Sequence, residues 1–201
     1  MPRLLHTVFA AAAFAGLGAL AATAGGPDHA EMSEAEMMAA WQAHAATGEH
    51  HKLLNSLVGE WDVESTLWMA PGAPPITSKA SASAEWILDG KFVQEHYSGD
   101  MMGTPFKGMS LMGYDNFKKK YVGIWIDSMN SSLSKQEFLH NPEKNMFIGF
   151  GHMDEFMTGE HDKTVKYTIQ IHSDDRHTFE LHDPYLPEGQ TRVMRLEYTR
   201  K

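Results

Sequence analysis

The residues best suited to hold a small molecule lie in two neighbouring stretches, GYDN at 113–116 and YVGIWIDS at 121–128. Tyr114, Trp125 and Asp127 combine aromatic faces with a carboxylate. That is the mixture an apolar pocket with a few placed polar groups requires. Asp115 and Asn116 equally suit a turn, and Trp125 equally suits a core. A further stretch is FVQEHY at 92–97. Read as a strand, it puts Val93, Glu95 and Tyr97 on one face and Phe92, Gln94 and His96 on the other. Whichever of Glu95 and His96 faces inward would orient a ligand, while the other reading for each is a solvated side chain. Tyr114, Trp125, Asp127, Glu95 and His96 are therefore the expected ligand contacts, and no residue is assigned to catalysis.

Twelve histidines and 14 methionines raise the question of a metal. Thioethers with imidazoles hold copper(I). Met101, Met102, Met109, Met112, His152, Met153 and Met157 are the residues to follow, but their spacing matches no dense copper motif, and methionine also serves as core filler. His172, His177 and His182 cluster near the C-terminus. On paired strands His172 and His182 share the outer face and His177 points the other way, so no three-histidine metal site is expected. No Gly-x-Ser-x-Gly elbow, phosphate-binding loop, dinucleotide fingerprint or His-Glu-x-x-His is present. The chain has no cysteine, which excludes thiol chemistry, thiolate zinc and iron–sulfur clusters. Its formal charge of −9 repels phosphate backbones, so nucleic acid is not an expected partner.

The elements that would position these residues begin after a leader. Arg3 precedes the apolar run VFAAAAFAGLGALAA, which ends in Ala22-Thr23-Ala24. This pattern predicts a signal peptide over 1–24 cleaved after Ala24, with Ala19-Leu20-Ala21 as a second site, and a periplasmic or secreted product. No cysteine follows to carry a lipid, and no later segment is apolar for long enough to cross a membrane as a helix. Residues 25–48 form an N-terminal segment. In it Ser33 and Glu36 make a capping-box pattern, and Met37, Met38 and Trp41 share one side of an amphipathic helix from Glu34 to Ala45. HKLLNSLVG then reads as a second short helix ending at Gly59.

From there the period changes to two. Strands are expected at Trp61–Met69, Thr77–Leu88, Lys91–Tyr97, Phe106–Tyr114 and Tyr121–Ser128. More follow at Ser132–Leu139, Met146–His152, Thr164–Ser173, His177–Asp183 and Thr191–Arg200. About ten short strands with Pro and Gly between them imply an all-β fold, a barrel or a sandwich spanning 49–201. In the hairpin around Asp174-Asp175, pairing Ile171 with Phe179 and Ile169 with Leu181 keeps apolar side chains together. That register implies a loop of about three residues with a bulge.

Gly59-Glu60-Trp61 resembles the Gly-x-Trp signature of the calycin superfamily, in which a Trp on the first strand plugs one end under a cation from the last strand. In a closed antiparallel up-and-down barrel Arg200 falls beside Trp61, so Gly59, Trp61 and Arg200 are expected to be structural. The stretches HKLLNSLVGEW, WILDGKF, GTPFKGMSLMGYDN, KKYVGIWIDS, RHTFELHD and MRLEYTRK resemble the bacterial family called domain of unknown function 1579. The resemblance covers roughly 51–201 and implies a single lipocalin-like barrel, with no established catalytic residue. Gly90-Lys91-Phe92 stands where Gly-Arg-Phe is usual, and FLHNPEK replaces a Gly- and Asp-containing segment. The main functional expectation is a carrier for a small apolar or amphipathic ligand in the lumen. The alternatives are a filled barrel that docks a partner, and a copper- or haem-binding protein, haem resting on analogy with other calycins alone. Oligomeric state is not legible in the sequence.

Overall fold

The computed structural model describes residues 32–201; the leader and its cleavage site lie outside them. Two units are distinguished, one ending at Trp41 and the other running from Gln42 to Lys201. Helix α1 spans Glu34–Ala45. Its start is fixed by the expected capping box: the Ser33 backbone N–H donates to Glu36 Oε2 at 2.8 Å, and the Glu36 N–H donates to Ser33 Oγ at 3.3 Å. The helix is only weakly amphipathic, contrary to expectation. Glu34 shares the side that carries Met37, Met38 and Trp41, and Ala39, Ala40 and Ala43 make the other side apolar too.

HKLLNSLVG is not one helix. It divides into a single turn, α2 at Glu49–Lys52, and a tighter 3-10 turn at Leu53–Leu57. The strands follow: β1 Gly59–Leu67, β2 Ile76–Ile87, β3 Phe92–Met101, β4 Thr104–Asp115, β5 Lys120–Asp127, β6 Ser134–Asn141, β7 Met146–Glu155, β8 Glu160–Ser173, β9 Arg176–His182 and β10 Arg192–Arg200. Each pairs antiparallel with the next, and β1 closes on β10, making an up-and-down barrel with no free edge.

Closure explains the Gly-x-Trp motif. Trp61 pairs with Arg200, whose guanidinium lies 4.3 Å from the centre of the Trp61 ring and donates to the Val58 carbonyl at 2.9 Å. Arg200 also donates twice to the Asp174 carbonyl, at 2.6 and 2.9 Å. The guanidinium fills the place a side chain on residue 59 would take, and Gly59 sits at φ 138°. Only glycine satisfies both conditions. The α2 end of the barrel is plugged by Leu54 and His51, both buried, with Tyr121 Oη donating to the His50 carbonyl at 3.0 Å.

The β8–β9 hairpin departs from expectation by two residues. Ile169 faces Phe179, Tyr167 faces Leu181, and Ile171 faces His177. A two-residue slip keeps the same side chains inward, so the apolar pattern does not choose between the registers. The turn does: Ser173 pairs with Arg176 around Asp174-Asp175, a loop of two residues rather than the expected three, and the ladder shifts between Ile171 and Ser173, the expected bulge.

Candidate functional site

Strand register assembles one continuous row on the inner wall. Glu95 on β3 faces Ser110 on β4, Ser110 faces Trp125 on β5, and Trp125 faces Ser134 on β6. Ladder partners share a face. Val93 and Tyr97, two residues from Glu95, Met112, two from Ser110, and Tyr121, four from Trp125, are core residues on the same face, so the row points inward. Glu95, Ser110, Trp125 and Ser134 all keep partial exposure. Across the lumen the inward residues of β8, Val165, Tyr167, Ile169 and Ile171, are buried. The interior is filled along β8, whereas each member of this row keeps some accessible surface.

Glu95 is the chemically exceptional member. Its carboxylate accepts one long hydrogen bond, from Tyr198 Oη at 3.4 Å, and burial pushes its pKa up to about 7 against the weaker pull of that phenol. A carboxylate has capacity for about four acceptor contacts, so most of Glu95's is unused by protein. Tyr97 and Tyr198 stand close enough for its charge to raise their own pKa values, a smaller effect than their burial. Tyr198 stacks on His177 with ring centres 4.2 Å apart, and His177 meets the edge of Trp61 at 4.5 Å. His177 is buried with Nδ1 unpartnered. Burial first, then Arg200 and His172, pull its pKa down to about 3, so the ring is neutral.

Trp125 lies over Gly108, where any Cβ would collide with the indole. Its Nε1 donates to Asp127 Oδ2 at 2.9 Å, and its ring stacks with Phe106 at 6.3 Å and meets Tyr97 at 6.2 Å. Asp127 also accepts from the Met129 backbone N–H at 2.9 Å and from Asn130 Nδ2 at 3.0 Å. It acts by pinning the indole and the following loop.

The expected contacts thus separate. Glu95, Trp125 and Asp127 come together. Tyr114 faces inward but lies four positions from Ser110, about 13 Å along the strand. There it stacks on His50 at 4.3 Å and packs against Tyr121 at 4.9 Å, sealing the α2 end. His96 lies on the outer face and is exposed, because β3 turns Val93, Glu95 and Tyr97 inward. Ser110, Ser134 and Tyr198 are not among the lumen residues expected from sequence, whereas His177 takes the inward face that the hairpin pairing predicts for it. Hairpin pairing from the turns at Met102-Gly103 and Asn116–Lys119 would have found Ser110 opposite Glu95 and Trp125.

Among the described residues, no group of three or more His, Asp and Glu is placed to hold a metal ion. His172 Nε2 lies 2.8 Å from Thr178 Oγ1, and His182 engages Thr191 and Glu180. The methionines are dispersed: Met112 is in the core, Met109 accepts from Gln94 at 3.1 Å, and Met102 and Met157 are exposed at loop tips. Among the described residues no helix is long and apolar enough to cross a membrane.

The model of a family described as protein of unknown function, DUF1579, matches residues 46–200. No curated protein matches the chain. Among solved structures, Rv2717c from M. tuberculosis is similar in fold, with TM-score 0.56 and 10% identity over 78% of this chain and 99% of that one. The S-type phycobiliprotein lyase CPES from Guillardia theta gives TM-score 0.47 and 10% identity, over 80% of this chain and 96% of that one.

Proposed function

We propose, for a chain that belongs to the DUF1579 family of proteins of unknown function, that the barrel binds a small amphipathic molecule along the Glu95–Ser110–Trp125–Ser134 row. The observation that carries this reading is Glu95, an interior carboxyl with a single 3.4 Å hydrogen bond and a partly open surface. A buried carboxyl left so poorly partnered costs stability unless something donates to it. The apolar part of the ligand lies against Trp125, Phe106 and Tyr97. Its head group donates to Glu95, and an amine is the strongest such donor, since a charge-assisted hydrogen bond exceeds a neutral one.

The test compares dodecylamine, dodecanol and dodecanoate by calorimetry and tryptophan fluorescence. The amine binds tightest, and Glu95→Gln weakens the amine by roughly ten- to a hundredfold while sparing the alcohol. Equal binding of the carboxylate, or no binding of any of the three, refutes the reading.

Export belongs to the same proposal. The leader pattern at 1–24 supports a periplasmic or secreted carrier, since the acidic chain without cysteines needs no oxidative pairing to fold there. N-terminal sequencing of the protein recovered from its own host is expected to begin at Gly25. A chain recovered from the cytoplasm starting at Met1 overturns it.

A further inference from the structure

The two ends of the barrel have different surfaces. At the end away from α2, every hairpin loop carries a large apolar side chain exposed to solvent. Met69 lies between β1 and β2, Met102 between β3 and β4, Met129 between β5 and β6, Phe156 and Met157 between β7 and β8, and Tyr185 between β9 and β10. Phe156 is 83% exposed and Tyr185 72%. At the α2 end Leu88 and Phe117 are exposed on the β2–β3 and β4–β5 turns, whereas the β6–β7 and β8–β9 turns carry no exposed large apolar side chain. Scattered exposed apolar residues need no explanation, but a ring of them on consecutive loops marks an interaction surface.

Two of these loops are flanked by acid: Asp154, Glu155, Glu160 and Asp162 lie at the strand ends beside the β7–β8 turn, and Glu188 lies on the β9–β10 loop. Beside these two loops Lys163 and Arg192 are engaged by carboxylates. Lys163 bonds Asp183 at 2.8 Å and Glu160 at 3.1 Å, and Arg192 bonds Glu180 at 2.8 Å and covers Trp68 at 4.7 Å. Flexible thioethers among fixed carboxylates suit a partner that is apolar on one stripe and cationic at its edges. An anionic bilayer is repelled by this rim.

We propose that this rim docks a basic amphipathic segment of a partner protein. The contact is Phe156, Met157 and Tyr185 against the apolar stripe, with Asp162 and Glu188 facing its lysines or arginines. Nothing in this proposal depends on a ligand in the lumen.

The probe is a fluorescently labelled synthetic helix of leucine and lysine, with a leucine–glutamate helix as its charge-reversed control. Anisotropy is expected to show binding of the first and none of the second, weakening as salt rises. The double variant Phe156→Ser, Met157→Ser loses about tenfold in affinity, with an unchanged melting temperature because both side chains are exposed. Asp162→Asn with Glu188→Gln loses affinity and flattens the salt dependence. Phe117→Ser, 84% exposed on the β4–β5 turn at the α2 end, changes nothing. The proposal is overturned by equal binding of the charge-reversed helix, by loss on Phe117→Ser alone, or by no binding at all. Preferential binding to phosphatidylcholine vesicles, or self-association through Phe156, assigns the rim to another occupant and equally overturns it.

Discussion

Glu95→Gln should make the protein more stable at pH 8 and leave it unchanged at pH 4. The carboxyl's pKa rises from the ordinary 4.5 to about 7 in the fold. Below 4.5 it is neutral folded and unfolded, and contributes no difference. Between 4.5 and 7 the unfolded chain releases the proton while the fold retains it, so stability falls as pH rises. Above 7 the loss is complete. The interval is roughly 2.5 pH units, and at about 1.4 kcal/mol per unit the penalty is about 3 kcal/mol. Glu95 keeps partial exposure, so water screens part of that charge and about 1–3 kcal/mol is the expected range. Gln keeps the shape and still accepts from Tyr198, so the comparison isolates the charge. For a domain of this size the gain is roughly 3–10 °C in melting temperature at pH 8. Thermal and urea unfolding of both proteins from pH 4 to pH 9 reads it. Curves that stay parallel across that range would show that Glu95 does not sit in a desolvated lumen, and the ligand argument would go with it.

His177 should give the opposite slope. Its depressed pKa of about 3 means that acid protonates the unfolded chain first, so stability is lost as pH falls from 6.5 towards 3. His177→Phe, which keeps the stack on Tyr198, should remove that slope and gain about 2 kcal/mol relative to wild type between pH 7.5 and pH 5; an unchanged slope in urea unfolding refutes it. Gly59→Ala should cost about 2–4 kcal/mol, because it strains φ and displaces Arg200. The same change in an Arg200→Leu background should cost less, and additive losses in the double-mutant cycle would argue against the shared contact. Gly108→Val should lift the Trp125 indole from its seat, red-shift tryptophan emission, and weaken amine binding by about tenfold with the sheet signal intact. Unaltered emission contradicts the packing described.

The barrel was legible because its constraints are local and repeated. Period-two patterning from Trp61 onward and the turn residues between strands define all ten strands, with ends off by a few residues. Closure was legible through the resemblance of Gly59-Glu60-Trp61 to the calycin signature, which implies a cation from the last strand on that ring, the place Arg200 takes. The β8–β9 register was not, because a two-residue slip changes no side chain's face. The site was harder for a related reason. Alternation separates Glu95 from His96 but does not say which of them faces in. Burial of Val93 and Tyr97 beside Glu95 decides it. Tyr114 and Trp125 read alike as aromatic residues in adjoining motifs, yet three residues of β4 lie between Tyr114 and the row that contains Trp125.

How much room the lumen offers is set by rings laid over glycines. Trp125 covers Gly108, the Phe138 ring covers Gly149, and Tyr167 reaches over Gly151. Each pairing trades a side chain on one strand for ring volume from its neighbour, which fills a barrel interior without widening it. Phe138 and Tyr167 are buried in the core, whereas Trp125 is not, and its one hydrogen bond goes to a carboxylate at the loop end of β5. The residue that holds the indole, Asp127, also accepts from the Met129 backbone N–H, so the seat of Trp125 and the β5–β6 loop share one carboxylate.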